Sequence, residues 1–330
     1  MKRILIIQTA FIGDVILITP LIRSTKELYP QAEIDVLTLP STASLLQNNP
    51  HVNRVYCYNK RQKGSFFKIL RTLRERRYDM AISPHSSTRS HLLMYLAGVP
   101  HRLGFDRGAA RILLTAKIKH PRGIHKSQKN LALLSLISKR EFSHQTELFP
   151  SSRDIEAVRN MLVPLRGKRL IVLAPGSVWG TKCWPIEYYS QICVMLDELG
   201  FGLILSGSPA EKDKCDQILE ACPNALSLCG KTDLLESAAA IAEAELIICN
   251  DSGALHIANA MKTPVVAFFG PTVLSIGYYP FREGDYVFET QLECRPCGSH
   301  GPQVCPKKHH DCMRMIKPET VIEYLKKRIL

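Results

Sequence analysis

Short uninterrupted apolar runs alternate along this chain with longer stretches in which apolar residues recur every three or four positions. Residues 2–8, 33–39 (closed by Pro40), 52–58 and 79–83 are runs of the first kind and read as buried strands. Residues 15–29 and 66–77 have the helical spacing, the latter on a basic background. The rhythm pauses between about 140 and 166, a stretch with Pro150-Ser151-Ser152, one helix and then Pro164. It restarts with strands expected at 169–174, 201–206, 245–249 and 264–269, and helices at 185–199, 210–221, 234–242 and 252–261. Strands alternating with helices argue for parallel sheets covered on both faces. The expected fold class is α/β, with two doubly wound units joined near residue 160, spanning 1–160 and 161–330. No short-period repeat or low-complexity segment interrupts them.

With 330 residues, 45% of them hydrophobic and 22% charged, the chain has enough apolar material for a core in each half, which excludes disorder. Its longest apolar stretches, such as residues 265–270, fall far short of the roughly 18 residues a membrane span needs. Met1-Lys2-Arg3 before an isoleucine-rich run has the start of an export signal. Gln8, Gly13 and Asp14 break that run, and no small-residue cleavage site follows. Eleven cysteines, an odd number mostly scattered through helix and strand positions, point to a reducing cytosol. The net charge of +13 is unevenly placed. Residues 1–165 hold 26 lysines and arginines against 11 acids, while residues 166–330 hold 17 against 19. An anionic partner for the first half follows, with nucleic acid, an acidic membrane surface and a phosphorylated substrate all open at this point.

In open parallel sheets, ligands sit beyond the carboxyl ends of the strands. Four loops occupy such positions. In the first, Thr9 to Asp14, the aspartate is either a helix N-cap or a carboxylate placed as general base for a hydroxyl. No G-x-G-x-x-G follows, which argues against a dinucleotide fingerprint. The second, Ala174 to Pro185, has two glycines that allow close approach of a ligand, and Lys182 shortly before a helix start, where ammonium and helix dipole together attract phosphate. It lacks G-K-[ST], so nucleoside triphosphate hydrolysis is not expected. In the third, Ser206 to Glu211, the glutamate either accepts ribose hydroxyls or complements a helix dipole. The fourth, Cys249 to His256, puts Asp251, Ser252 and Gly253 at a helix start and His256 about one turn on. That is either a capped helix with a core histidine or a ligand cradle.

Taken together, these motifs resemble the ADP-heptose:lipopolysaccharide heptosyltransferases of glycosyltransferase family 9. The likeness is carried by Gly13-Asp14 with Pro20, by Pro175-Gly176 through Lys182-x-Trp184-Pro185, and by Gly207-Ser208 with Glu211. Gly230-Lys231-Thr232, Asn250-Asp251-Ser252-Gly253-x-x-His256 and Gly270-Pro271-Thr272 complete it, so that it runs along essentially the whole chain. Arg77-Tyr78-Asp79 and Gly98-Val99-Pro100-His101-Arg102-x-Gly104 bring it nearer to the heptosyltransferase II branch than to heptosyltransferase I.

The resemblance implies a GT-B fold of two facing Rossmann-like domains. The first, 1–160, would take the acceptor and the second, 161–330, the sugar nucleotide, with room for the last helix to pack back on the first. It implies inverting, metal-independent transfer of L-glycero-D-manno-heptose from ADP-heptose to the lipopolysaccharide inner core. Asp14 matches the catalytic aspartate, Ser177 and Lys182 the pyrophosphate contacts, Glu211 the ribose contact and Thr232 a position beside the adenine. Asp251, Ser252, Gly253 and His256 match the motif near heptose and phosphates. The basic first half then suits an anionic inner-core acceptor, with Lys60, Arg61, Lys63 and Arg89 as the contacts expected. A cytoplasmic monomer touching the inner membrane surface, with no nucleic-acid partner, completes the expectation. The rival readings are a related GT-B transferase for another nucleotide sugar or acceptor and, from another class, a nucleic-acid-binding protein. No stacking aromatic series or recognition motif supports the latter.

Cys294-x2-Cys297-x7-Cys305-x6-Cys312, interleaved with His300, His309 and His310, has the density of a zinc site. The first pair has zinc-like spacing but the second is not close-set, so no metal cofactor is expected and zinc stays an alternative.

Overall fold

The computed structural model describes residues 1–329, which divide into two compact units, Met1–Phe149 and the residues from Pro150 onward. The division falls about ten residues before the expected join, because helix Ser152–Met161 packs on helix Leu234–Ala242 of the second unit. The charge asymmetry follows the structural boundary. Residues 1–149 carry 24 basic and 9 acidic side chains, a net +15, which leaves −2 for the rest.

The first unit holds six parallel strands: β1 (Arg3–Ile7), β2 (Glu33–Thr38), β3 (Arg54–Cys57), β4 (Met80–Ser83), β5 (His101–Phe105) and β6 (Ala116–Ile118). Their order is β3-β2-β1-β4-β5-β6. Ile4 of β1 lies opposite Ile34 on one side and Met80 on the other, and Ile4 to Ile7 are wholly buried. Burial on both faces is why β1 reads as a continuous apolar run rather than an alternating one. The connections run outward in one direction from β1 and in the other from β4, so the topological switch point lies between these two strands.

The helix expected over 15–29 is two helices, Ile12–Ile16 and Thr19–Leu28. Pro20 enters at the start of the second and has no N–H to continue the first. The Thr19 hydroxyl donates to Ile16 O at 2.8 Å across the break. Helix Ser65–Arg76 is anchored at its end, where Arg76 and the Tyr78 hydroxyl both donate to the fully buried Asp35 carboxylate of β2.

The second unit repeats the plan with β7 (Leu170–Ala174), β8 (Gly202–Leu205), β9 (Leu226–Ser227), β10 (Leu246–Asn250), β11 (Val265–Phe269) and β12 (Tyr286–Glu289), ordered β12-β11-β10-β7-β8-β9. Here the switch point lies between β7 and β10. Trp184 is at the centre of the core, stacked on Phe268 with ring centroids 4.3 Å apart and donating from its indole N–H to Ile316 O at 2.9 Å. The last helix, Pro318–Ile329, packs on helix Ile186–Glu198 of its own unit through Val321, Ile322 and Leu325.

Candidate active site

Each switch point gathers part of the expected chemistry. In the first unit, Asp14 leaves the sheet after β1. It is not the N-cap of its helix, a place taken by Phe11, but the third helical residue. The N-cap reading of Asp14 is thus set aside by position alone. Two neighbours were invisible in the sequence. His85 follows β4, and Lys126 opens helix Lys126–Leu131. The Asn130 amide donates to Leu17 O at 2.8 Å, pinning that helix over the Asp14 segment. Lys126 lies one turn before Asn130 on the same face. Burial pulls the Lys126 ammonium below the ordinary lysine range, and the Asp14 carboxylate acts against that pull. Burial likewise lowers His85, again opposed by Asp14.

Of the expected acceptor contacts, Lys60 donates to Thr9 O in the Asp14 loop, and Arg89 Nη1 lies 3.4 Å from Lys60 O. Burial, then Arg89, lowers the Lys60 ammonium. Arg61 and Lys63 are exposed on the adjoining loop.

In the second unit, Lys182 closes a short turn after β7, and its Nζ lies 2.6 Å from Oδ2 of Asp251 after β10. The same oxygen accepts from the Thr272 hydroxyl at 2.6 Å. His256 lies beneath, buried on helix Gly253–Met261, and burial together with the Lys182 ammonium lowers its pKa to about 3. At neutral pH it is an uncharged imidazole. Ser252 occupies the N-cap position of that helix but makes no side-chain cap bond. A capped helix is therefore not what this serine builds.

Asn250 has no role assigned from sequence, yet it organises the loop between β7 and the following helix. Its amide donates to Pro175 O and Gly176 O, and its carbonyl accepts from Trp184 N at 2.9 Å. Both ends of the 174–185 loop are thereby fixed to β10, the strand that leads into Asp251, the partner of Lys182. Ser177 Oγ accepts from Trp179 N at 3.4 Å.

The glycines of this loop do a different job from the one their spacing suggests. A Cβ at Gly176 would lie 1.5 Å from Glu211 Oε1, and one at Gly180 would lie 2.4 Å from Gln303 O. Protein atoms, not open space for a ligand, fill the room they leave. Glu211 has one oxygen in a capping box with Ser208 N and Oγ, at 2.7 and 2.9 Å, and the other against Gly176. Thr232 Oγ1 pairs with Ser237 Oγ at 2.8 Å.

The four clustered cysteines carry free thiols. Burial raises Cys297, with Cys294 and Cys305 adding to the shift, and Cys312 is pushed up to about 11, mainly by burial. The four thus share one neighbourhood. Among the described residues, no three His, Cys, Asp or Glu side chains are arranged to hold a metal ion.

The family model for glycosyltransferase family 9 (heptosyltransferase) matches residues 66–304. The chain belongs to that family. The lipopolysaccharide heptosyltransferase 2 of Escherichia coli K12 is 28% identical over 86% of this chain and 91% of its own length. Lipopolysaccharide heptosyltransferase 3 of the same organism is 30% identical over 79% of this chain and 80% of its own length. The solved structure of E. coli ADP-heptose lps heptosyltransferase II superposes with a TM-score of 0.82 at 26% identity, covering 99% of this chain and 98% of that one. The family 9 transferase is thus an α/β enzyme of the GT-B type, and the resemblance to the heptosyltransferase II branch holds. No helix among its described residues is long and apolar enough to cross a membrane.

Proposed function

We propose that this family 9 transferase moves L-glycero-D-manno-heptose from ADP-heptose to a heptose of the lipopolysaccharide inner core, with inversion at the anomeric carbon and without a metal. The supporting observation is the Lys182–Asp251–Thr272 cluster at the switch point of the second unit, above a neutral buried His256. A departing ADP gains negative charge on its β-phosphate. Lys182 and the N-terminus of helix Gly253–Met261 are the groups that would receive it, each charge-assisted contact contributing about 1.5–3 kcal/mol. Ser177 and Ser252 would orient the phosphates, Gly253 would let them approach the helix start, and Glu211 and Thr232 would contact ribose and adenine.

On the acceptor side, Asp14 takes the proton of the attacking hydroxyl as the new bond forms, so it need not be strongly basic. Lys126 and His85 lie within electrostatic reach of that carboxylate. Lys60, Arg61, Lys63 and Arg89 would meet the carboxylates and phosphates of the acceptor. We place the enzyme in the cytoplasm as a monomer, reaching a membrane-borne acceptor from that side.

The test compares ADP-heptose with UDP- and GDP-sugars on a heptose-bearing acceptor and reads the anomeric configuration of the product by NMR. Product from ADP-heptose alone, of opposite configuration, supports the reading. Turnover with another nucleotide sugar in its place would assign the enzyme a different donor.

A further inference from the structure

Residues 61–77 carry seven lysines and arginines and a single acid, Glu75. Within this segment, helix Ser65–Arg76 buries Ile69, Leu70 and Leu73 against the sheet. The opposite stripe, at helical spacing, presents Phe67, Lys68, Arg71 and Arg74, all exposed. Phe67 stands 74% exposed, while its neighbour Phe66 packs on the core edge.

This helix packs on helix Thr88–Leu96, which in turn packs on the turn Ala109–Leu113. Those two elements add Tyr95 at 51% exposure and Ile112 at 82%. Cations accompany them: the Arg102 guanidinium lies 5.5 Å from the Tyr95 ring centroid, and Arg111 adjoins Ile112. Three contiguous elements therefore each carry one apolar tip in a basic field, on the unit with a net charge of +15. The far end of the first helix is fixed by Arg76 to Asp35, so the stripe is presented by a rigid element.

Isolated apolar tips among cations differ from the contiguous apolar patch that a protein partner usually covers. They suit a headgroup layer, where rings enter the acyl boundary and ammonium and guanidinium groups meet lipid phosphates. We propose that this face docks the enzyme on an anionic phospholipid bilayer, with Phe67 as its main wedge and Lys68 and Arg71 as its phosphate contacts. The inference rests on the proposed lipid-borne acceptor, and it names the surface by which the enzyme would reach it.

The test is cosedimentation with vesicles of equal parts phosphatidylethanolamine and phosphatidylglycerol, against vesicles of phosphatidylcholine alone. The variants are Phe67→Asp and the double variant Lys68→Glu/Arg71→Glu, with unchanged melting temperature as the folding control. Wild type is expected to bind the anionic vesicles only and to be released by about 1 M salt, where the screening length is about 3 Å. Both variants should bind at least tenfold more weakly, the double variant because each unit of charge near the surface is worth about fivefold. Turnover on a deacylated, water-soluble acceptor should stay within about twofold of wild type, while KM for vesicle-embedded acceptor rises.

Wild type left in the supernatant, variants that sediment like wild type, or binding confined to vesicles that contain the acceptor lipid would each overturn the docking face. If vesicle binding follows the expectation while no acceptor receives heptose, the proposed activity falls and the docking face stands.

Discussion

The Lys182 ammonium and the Asp251 carboxylate form an ion pair of 2.6 Å with side chains only 11% and 7% exposed. Such a pair holds the cation ready in one position, and it leaves a poorly solvated charge behind if either partner is removed. Lys182→Ala should therefore cost twice. Loss of one preorganised charge stabiliser lowers kcat/KM by about 2–4 kcal/mol. Stranding Asp251 lowers unfolding stability by about 3–5 kcal/mol. The double variant Lys182→Ala/Asp251→Ala should regain much of the stability in urea melts and none of the activity. A single variant with near-wild-type kcat/KM would place the phosphates elsewhere.

Asp14→Ala is expected to abolish transfer while leaving ADP-heptose affinity nearly unchanged, because the proposed role of Asp14 is on the acceptor side of the reaction. Calorimetric binding alongside turnover separates the two. Near-normal turnover would remove Asp14 from the mechanism.

Lys126 is set by the Asn130–Leu17 bond beside Asp14. Lys126→Ala should lower kcat by about 10–100-fold with little change in KM for the nucleotide sugar, as expected for a group that acts near the transition state rather than in donor binding. Lys126→Arg keeps the charge and should recover part of the loss. Equal activity in both variants would leave Lys126 with a purely structural place.

His256 makes stability depend on acid. Its folded pKa of about 3 lies below the ordinary histidine value of 6.5. Between those values the unfolded chain binds a proton that the folded protein refuses, so stability falls as pH drops through 6.5 toward 3, by up to about 1.4 kcal/mol per pH unit. Above pH 6.5 this contribution is constant. Denaturant melts at pH 7 and pH 5 should show a smaller difference in His256→Gln than in wild type. Matching differences would mean that the imidazole protonates freely in the folded state.

Turnover should be unaffected by EDTA, since the departing phosphates are assigned to Lys182 and a helix start. Loss of activity on chelation, restored by added zinc, would instead give the Cys294–Cys312 segment a working metal.

What was legible in the sequence tracks what is local. β1, β7, β10 and β11 are buried on both faces, and their apolar runs announce them. β5, His101-Arg102-Leu103-Gly104-Phe105, mixes two basic residues and a glycine into five positions and gave no such signal. Across Pro20 the apolar periodicity of 15–29 continues while the hydrogen bonding does not, so the pattern hides the break between two helices. In the site, Asp14, Lys182 and Asp251 stood out because each falls at a strand end. His85 and Lys126 did not, since the contacts that give them meaning join segments dozens of residues apart, and Asn250 stood in a recognised motif without the loop contacts that explain it. The spacing of Gly176 and Gly180 reads as permissive, but Glu211 and Gln303, distant in sequence, occupy the room they leave.

The surplus of positive charge belongs wholly to the body that ends at Phe149. In the proposed scheme, attraction to an acidic surface and choice of activated sugar therefore belong to separate stretches of chain. Reshaping the loops after β7 and β10 to accept a different leaving group would leave the electrostatic address of the molecule untouched, so one scaffold can be retuned for a new donor without losing its way to the old destination.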